Sequence, residues 1–244
     1  MSTLIYFVTE DRYIRPIPGN TYVENIFRED ELLGSALATL GYEHKRVSWR
    51  DSSIDWERAS WVLIRTTWDY FDHFEEFSHW LGQLPTKACM NPKALLSWNT
   101  DKHYLLDLAQ KGIPIVPSTI IPRQHPNPLS QWAAHLEYEH LIVKPTIAGA
   151  ARLTYQLKDE QIGAFDREFT KLNAKEDFIL QPFVSSVTSF GELSLMVMGG
   201  KCTHAVQKRV KVGDFRVQDD FGGTVHHFTL TPELIEFAEM VMGL

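Results

Sequence analysis

The sequence predicts an α/β domain built on parallel strands, followed by an α+β region that ends in an antiparallel hairpin. Three observations carry this expectation. Leu4–Val8 is a short, continuous apolar run, the pattern of a strand covered on both faces. Strand-like and helix-like segments alternate through residues 1–92, which implies βαβ units. From Glu192 to Val210 two alternating segments meet at Gly199-Gly200, the pattern of a hairpin.

Taken in order, Leu4–Val8 is followed by a polar loop holding Pro16, Pro18 and Gly19. Asp30 stands where it can cap a helix from Glu31 to Leu40, in which Leu33, Leu37 and Leu40 share a face and Gly41 supplies the stop. Val47 falls in a second strand and Trp61–Ile64 in a third. Asp72 is placed to cap a helix with the stripe Phe74, Phe77, Trp80 and Leu81, and the first domain ends near Pro92. A helix is expected from Asp101 to Gln110, broken by Gly112 and Pro114, with Ile115-Val116 extended and Pro122–Pro128 a surface connection. Leu141–Val143 reads as a strand ending in Lys144-Pro145. The small-sided run Thr146-Ile147-Ala148-Gly149-Ala150-Ala151-Arg152 cannot fill a core and reads as a mobile loop. A helix near Asp159–Leu172, a strand at Phe178–Leu180 and the hairpin follow. Thr231-Pro232, beyond Gly222-Gly223, opens a last helix by the rule of a cap followed by proline.

Composition narrows the function. The 244 residues carry 24 Lys and Arg against 31 Asp and Glu, a net charge of −7, with 44% apolar and 23% charged side chains. Those proportions belong to an ordinary globular chain with ample core and exclude disorder, collagen and coiled coil. A pI near 5.8 without a basic stripe argues against a general binder of nucleic acid or membrane surfaces. The seven tryptophans are scattered rather than interleaved with cations, so they form no stacking platform for single strands. Cys89 and Cys202 alone make neither a zinc site nor a disulfide framework and read as two buried reduced thiols, or as one remote pair. The N-terminus lacks the charge and apolar length of a signal peptide, and no stretch approaches the roughly 18–20 apolar residues of a membrane span. A cytoplasmic protein without membrane or nucleic-acid partners is expected.

The chemistry-bearing pattern is a set of cations at the ends of strands and helices, each beside flexible backbone. Lys102 follows Asn99-Thr100-Asp101 at a helix start, Lys144 terminates a buried strand, and Lys208 and Arg216 flank the end of the hairpin strand before Gly222-Gly223. An unpaired ammonium on a buried strand is costly. A nucleoside triphosphate would supply the counter-charge, and small loop residues let backbone N–H groups approach its oxygens. For Lys144 alone, a strand-end lysine reaching for water is the other reading. Neither G-x-x-x-x-G-K-[ST] nor G-x-G-x-x-G occurs, and kinase-loop and hydrolase-elbow patterns are missing. His204 reads as a packed or partly exposed residue, and the adjacent His226 and His227 point to opposite faces of a strand, so neither suggests a metal site.

Arg65, Thr66, Thr67, Trp68, Asp69 and Tyr70 follow the third strand, and ligands of open α/β sheets sit at the carboxyl ends of strands. Arg65 could pair with a substrate carboxylate and Asp69 could hold an amine. Alternatively, Trp68 and Tyr70 pack a junction while the charges cap a helix. Glu10, Asp11 and Arg12, after the first strand, are further candidates for the same pocket.

The ordered series Asp101-Lys102, Gly112–Pro117, Ile142-Val-Lys144-Pro, Ile179-Leu-Gln181-Pro-Phe-Val184, Gly191-Glu192-Leu-Ser194, Val206-Gln-Lys208-Arg, Phe215-Arg216-Val-Gln218 and Gly222-Gly223 resembles the ATP-grasp superfamily. It is similar to the glutathione-synthetase-like branch, and Arg65–Tyr70 resembles the cyclo-ligase family of D-cycloserine biosynthesis. The resemblance spans Leu4 to Gly223 and implies a Rossmann-like pre-ATP-grasp domain at 1–92, with a two-lobed ATP-grasp domain at 93–184 and 185–244. It implies that Lys102, Lys144 and Gly149 meet the ATP phosphates, that Gln181, Pro182, Phe183 and Val184 form an adenine-reading hinge, and that Glu192 faces the nucleotide or stands on its rim. Lys208 and Arg216 would neutralise the transferred phosphoryl group, with the loop Thr146–Arg152 as a lid.

The implied activity is that of a carboxylate–amine ligase or cyclo-ligase. A carboxylate of an amino-acid-like small molecule attacks the γ-phosphate, and a nitrogen captures the acyl phosphate. Mg²⁺ is the implied cofactor, and the family's metal carboxylates follow the last helix. Because the sequence stops at Leu244, the expectation is a second lobe without its last strands or metal ligands, Asp219 and Asp220 being the paired acids nearby. Such a chain would bind nucleotide and turn over slowly or not at all. The alternatives are a catalytically dead nucleotide-binding module partnering another protein, and a small-molecule kinase of the same fold. An exposed sheet edge would also leave room for a homo-oligomer.

Overall fold

In the computed structural model, residues 3–211, 213, 216–217 and 221–243 are described, and the chain divides between Asp101 and Lys102. In the first unit, β1 (Thr3–Thr9) lies inside a parallel sheet with β2 (Tyr42–Ser48), β3 (Trp61–Thr66) and β4 (Cys89–Met90), in the order β2-β1-β3-β4. Ile5 to Val8 are buried, as their unbroken apolar run demands. Helix α1 (Thr21–Thr39) joins β1 to β2, α2 (Phe74–Gln83) lies between β3 and β4, and α3 (Lys93–Asn99) follows. Tyr6, Val8, Val47 and Val62 of the sheet close on Phe77, Trp80 and Leu81 of α2. Each such side chain contributes about 1.5–3 kcal/mol by leaving water.

Two capping expectations fail here. Asn20, rather than Asp30, caps α1, its side chain accepting a hydrogen bond from the Val23 amide at 3.2 Å. The helix therefore starts about ten residues earlier than the pattern of Leu33 and Leu37 suggested. Its buried face is Val23, Ile26, Asp30 and Gly34, a helical spacing hidden because one member is charged and another has no side chain. Asp30 is 6% exposed and binds Arg46 and Arg65. Asp72 does not cap α2 either; His73 holds the cap position without a side-chain hydrogen bond. Helix α3 was not foreseen, and it places residues 93–101 with the first unit.

The second unit carries two antiparallel sheets. Helix α4 (Tyr104–Gln110) starts after a turn at Lys102, later than expected. Then come β5 (Thr119–Ile121), α5 (Leu129–His135), β6 (His140–Pro145), β7 (Tyr155–Lys158), α6 (Asp159–Asn173) and β8 (Phe178–Pro182), with sheet order β5-β8-β6-β7. Leu141 and Val143 point into a core with Leu157, Ile162, Phe169, Phe178 and Leu180. Strand alternation sends Ile142 and Lys144 to the opposite face. Short α7 (Ser186–Ser189) leads to β9 (Glu192–Met198), β10 (Lys201–Arg209), β11 (Thr224–Phe228) and α8 (Pro232–Met242), with sheet order β11-β10-β9.

The hairpin between β9 and β10 turns at Gly199 and Gly200 with φ of 58° and 78°, as two positive-φ turn residues require. Gly191 is compulsory for a different reason: a Cβ there would lie 2.3 Å from the Lys208 carbonyl oxygen. Thr231 caps α8, as expected, by accepting from the Leu234 amide. Cys89 and Cys202 are both free thiols. Among the described residues, no helix is long and apolar enough to cross a membrane.

The cap amide Asn20 and the buried acid Asp30 of α1 make a clean comparison. Asn20→Ala removes one cap and should cost about 1 kcal/mol in urea unfolding of the first unit. Asp30→Ala leaves Arg46 without its carboxylate and Arg65 with Glu29 alone, and should cost about 3–5 kcal/mol. Equal losses would mean that Asp30 acts only as a helix surface residue.

Candidate functional site

The face of β6 and β8 turned away from the core borders a cavity of about 400 Å³. The antiparallel register sets Ile142 opposite Gln181 and Lys144 opposite Ile179, and Ile142, Lys144 and Gln181 all line the cavity. Lys144 is partly buried and makes no hydrogen bond or ion pair with any described residue. Burial holds its amine below the usual lysine value, and the Glu192 carboxylate offsets this in part. A cation is thus kept in a recess with a charge still to be matched.

The loop after β6 supplies Ala148, Gly149, Ala150, Ala151 and Thr154 to the cavity. Ala150, Ala151 and Leu153 have φ of 47°, 56° and 47°, the left-handed region that costs a side-chain-bearing residue about 1–3 kcal/mol. Lys102 braces this loop: its amide donates to the Thr146 carbonyl at 2.9 Å, and its ammonium donates to Ala148 O at 2.8 Å and Thr146 O at 3.2 Å. At the other end Arg152 meets Glu176 in a two-pronged pair at 2.9 and 3.0 Å.

Beyond β8, Phe183 and Val184 close the far side. The Phe183 amide already donates to the His140 carbonyl at 2.9 Å, and its ring stacks on His140 with centroids 4.3 Å apart. The Val184 N–H makes no hydrogen bond to a described residue, whereas its carbonyl accepts from Val187. Gln181 is 8% exposed and donates its side-chain amide to Ser118 Oγ at 2.8 Å. Glu192, Arg216 and Val217 complete the lining, the Arg216 guanidinium lying 3.8 Å from the Phe221 ring centroid.

Eight residues singled out from sequence therefore border one cavity: Lys102, Lys144, Gly149, Gln181, Phe183, Val184, Glu192 and Arg216. Two others do not. Pro182 is paired with Leu141 in the sheet, and Lys208 stands across the β9–β10 ladder from Glu192, 3.5 Å from its carboxylate. A cation opposite a carboxylate on a strand pair satisfies itself there, which the linear sequence cannot reveal. Sequence reading missed the apolar walls Val116, Ile142, Val187 and Val217. Only Ile142 had a signal, its two-residue spacing from Lys144.

In the first unit the sheet reverses direction of winding at β1, and residues at the carboxyl ends of β1 and β3 stand together. Arg65 is already engaged there by Glu29 at 2.6 Å and Asp30 at 2.8 Å, so its expected role toward a substrate carboxylate meets a guanidinium that already has two carboxylates. Thr66 is buried and shares a hydrogen bond with Thr9. Trp68 is 38% exposed and edges onto Tyr13, while Asp69 accepts from Trp49 Nε1 at 2.9 Å. Asp11 accepts from Ser48 Oγ. Glu10 is 1% exposed; Arg12 holds one carboxylate oxygen and the other has no partner. Burial raises the Glu10 pKa above 4.5, against the pull of Arg12 and with help from the Asp69 charge.

A parallel-sheet unit, two antiparallel sheets about one cavity and a small-residue loop beside a lone lysine together define the ATP-grasp architecture, and that is the fold of this chain. Within the class the likeness is to DcsG. Residues 5–91 match the model of the D-cycloserine synthetase DcsG N-terminal domain. Over 200 residues the chain is 30% identical to the cycloserine biosynthesis protein DcsG of Streptomyces lavendulae, covering 80% of this chain and 64% of that protein, so it spans just under two thirds of this curated relative. The crystal structure of D-cycloserine synthetase DcsG superposes with a TM-score of 0.78 at 24% identity, over 98% of this chain and 80% of that one. A RimK-domain ATP-grasp protein from Sphaerobacter thermophilus gives 0.69 at 16% identity, over 99% and 81%. D-alanyl-alanine synthetase A from Vibrio cholerae gives 0.62 at 12%, over 99% and 79%.

The residues fit a triphosphate: a recessed ammonium, a loop without bulky side chains, and an unused amide donor at Val184 between apolar walls. Among the described residues, no three His, Cys, Asp or Glu side chains gather to hold a metal ion. Asp219 and Asp220, together with Phe215 and Gln218, lie outside the described residues.

Glu10 has a pH signature. Its raised folded-state pKa means that the native state keeps the proton longer than the unfolded chain, so stability falls as pH rises from about 4.5 toward the folded value. Glu10→Gln should therefore gain stability relative to the parent between pH 4 and pH 7 in denaturant titrations. A difference that stays constant with pH would refute the buried-carboxyl account.

Proposed function

We propose that the cavity of the second unit binds ATP and that the chain uses it in an ATP-dependent ligation of a carboxylate to an amine on an amino-acid-like small molecule. The observation that carries this reading is Lys144: an ammonium on a sheet face, partly buried, without an ionic partner among the described residues. A polyphosphate is the ligand class that answers it, because charge-assisted contacts to phosphate strengthen in a recess of low polarity.

The division of labour follows from the geometry. The apolar walls Val116, Ile142 and Val187 take the base, and the Val184 N–H supplies its hydrogen bond. The loop amides at Ala148–Ala151, with Lys144, take the phosphates, and Arg216, which lies between β10 and β11 in the chain, borders the same space. Glu192 meets the ribose side, where its pairing with Lys208 fixes its position. Lys102 serves mainly as a brace for the loop. Mg²⁺ would lower the charge on the phosphates when bound. The reaction is attack of a substrate carboxylate oxygen on the γ-phosphorus, breaking the bond to the β–γ bridging oxygen and releasing ADP; an amine then displaces phosphate from the acyl phosphate. Likeness to ATP-grasp ligases supports this reading, and on the acceptor side Asp69 and exposed Trp68 remain the candidates.

A single variant separates the ATP site from an inert scaffold. Lys144→Met removes a desolvated charge, so the unliganded protein should melt at a higher temperature than the parent. It should also lose the upward melting shift that ATP causes in the parent, with affinity down about 10- to 100-fold. A variant that binds ATP as the parent does would sink the site. ATP binding with no ADP release in the presence of Mg²⁺ and amino-acid substrates would leave a binding module instead of a ligase.

A further inference from the structure

The loop that fronts the cavity is held in an unfavourable shape, and something must hold it there. Ala150, Ala151 and Leu153 all occupy the left-handed region although none is glycine. Besides the Lys102 bonds to Thr146 and Ala148, the restraint comes from the turn before β8. The Thr146 amide donates to the Asp177 carbonyl at 3.0 Å, and the Arg152 guanidinium grips both oxygens of Glu176. Glu176 and Asp177 are neighbours in the turn between α6 and β8, so both shoulders of the loop are fastened to a single post. The post is itself rigid: Asn173 is 2% exposed, and its side-chain amide donates to Glu176 O at 3.3 Å and Pro122 O at 3.0 Å.

We propose that Arg152 is a positioning residue of this site: its fork on Glu176 fixes the curvature of residues 148–151 and thereby aims their backbone amides at the triphosphate. This rests on the nucleotide reading above. Arg152 acts through the loop and its pairing with Glu176, and it need not touch the ligand. A planar guanidinium suits the task because two parallel hydrogen bonds fix direction as well as distance; a lysine ammonium at the same place fixes neither. The strained alanines sharpen the dependence, since a loop released from its post relaxes toward ordinary backbone angles.

The test is calorimetric titration of ATP and AMP into the parent, Arg152→Lys, Glu176→Gln and the double variant, each confirmed to melt cooperatively. ATP should bind about tenfold more weakly to each single variant. AMP, which reaches the base end with little of the loop, should change less than twofold. The double variant should lose no more than either single one, because the two side chains act as a unit. ATP affinities equal to the parent's overturn the proposal, as do equal losses for ATP and AMP, which would report general damage. If the parent binds ATP and the variants match it, this inference alone falls; if the parent binds no nucleotide, the site reading falls with it.

Discussion

The architecture of the second unit turns on an ammonium, that of Lys144, which no described residue pairs with. Strand alternation in β6 sends Leu141 and Val143 inward and commits Lys144 to the other face. There the neighbouring groups are mostly apolar side chains and backbone, and among the described residues the carboxylate that acts on it, Glu192, is itself 3.5 Å from Lys208. Water would have to solvate this lysine in a recess, which costs stability and concentrates attraction for anions in the same place. Folding stability is given up locally, a compromise common at functional sites.

The same logic governs the loop after β6. Three left-handed residues without glycine would not persist in an unsupported segment, and two independent braces surround them. Lys102 bonds its carbonyls from one side, and Arg152 with Glu176 ties it from the other. A loop rich in Ala and Gly gives up packing, and the braces provide the order that side chains would otherwise supply.

In the first unit most charges find partners inside the protein. Arg46 and Arg65 converge on Asp30, which lies on the buried face of α1, and they join the helix to the sheet. Arg65 thereby reads more as structure than as a substrate ligand. At Glu10, paired with Arg12 through one oxygen, the other carboxylate oxygen is buried without a hydrogen-bond partner among the described residues. Its surroundings, rather than its sequence neighbours, make it unusual.

Sequence alone determined the alternation of strands and helices in the first unit, the hairpin at Gly199-Gly200 and the cap at Thr231, because each depends on local periodicity or turn chemistry. It also determined that Lys144 ends a strand beside a small-residue loop. It could not determine the start of α1, whose buried face contains a charged residue and a glycine. Nor could it tell which cations are available: Arg65 and Lys208 look like Lys144 in the linear chain, yet each meets a carboxylate brought from another element. Tertiary structure alone decided that, since ion pairing depends on distance in space. The joining of both loop shoulders to the turn at Glu176-Asp177 is likewise a product of folding, for it brings together residues 24 to 31 positions apart.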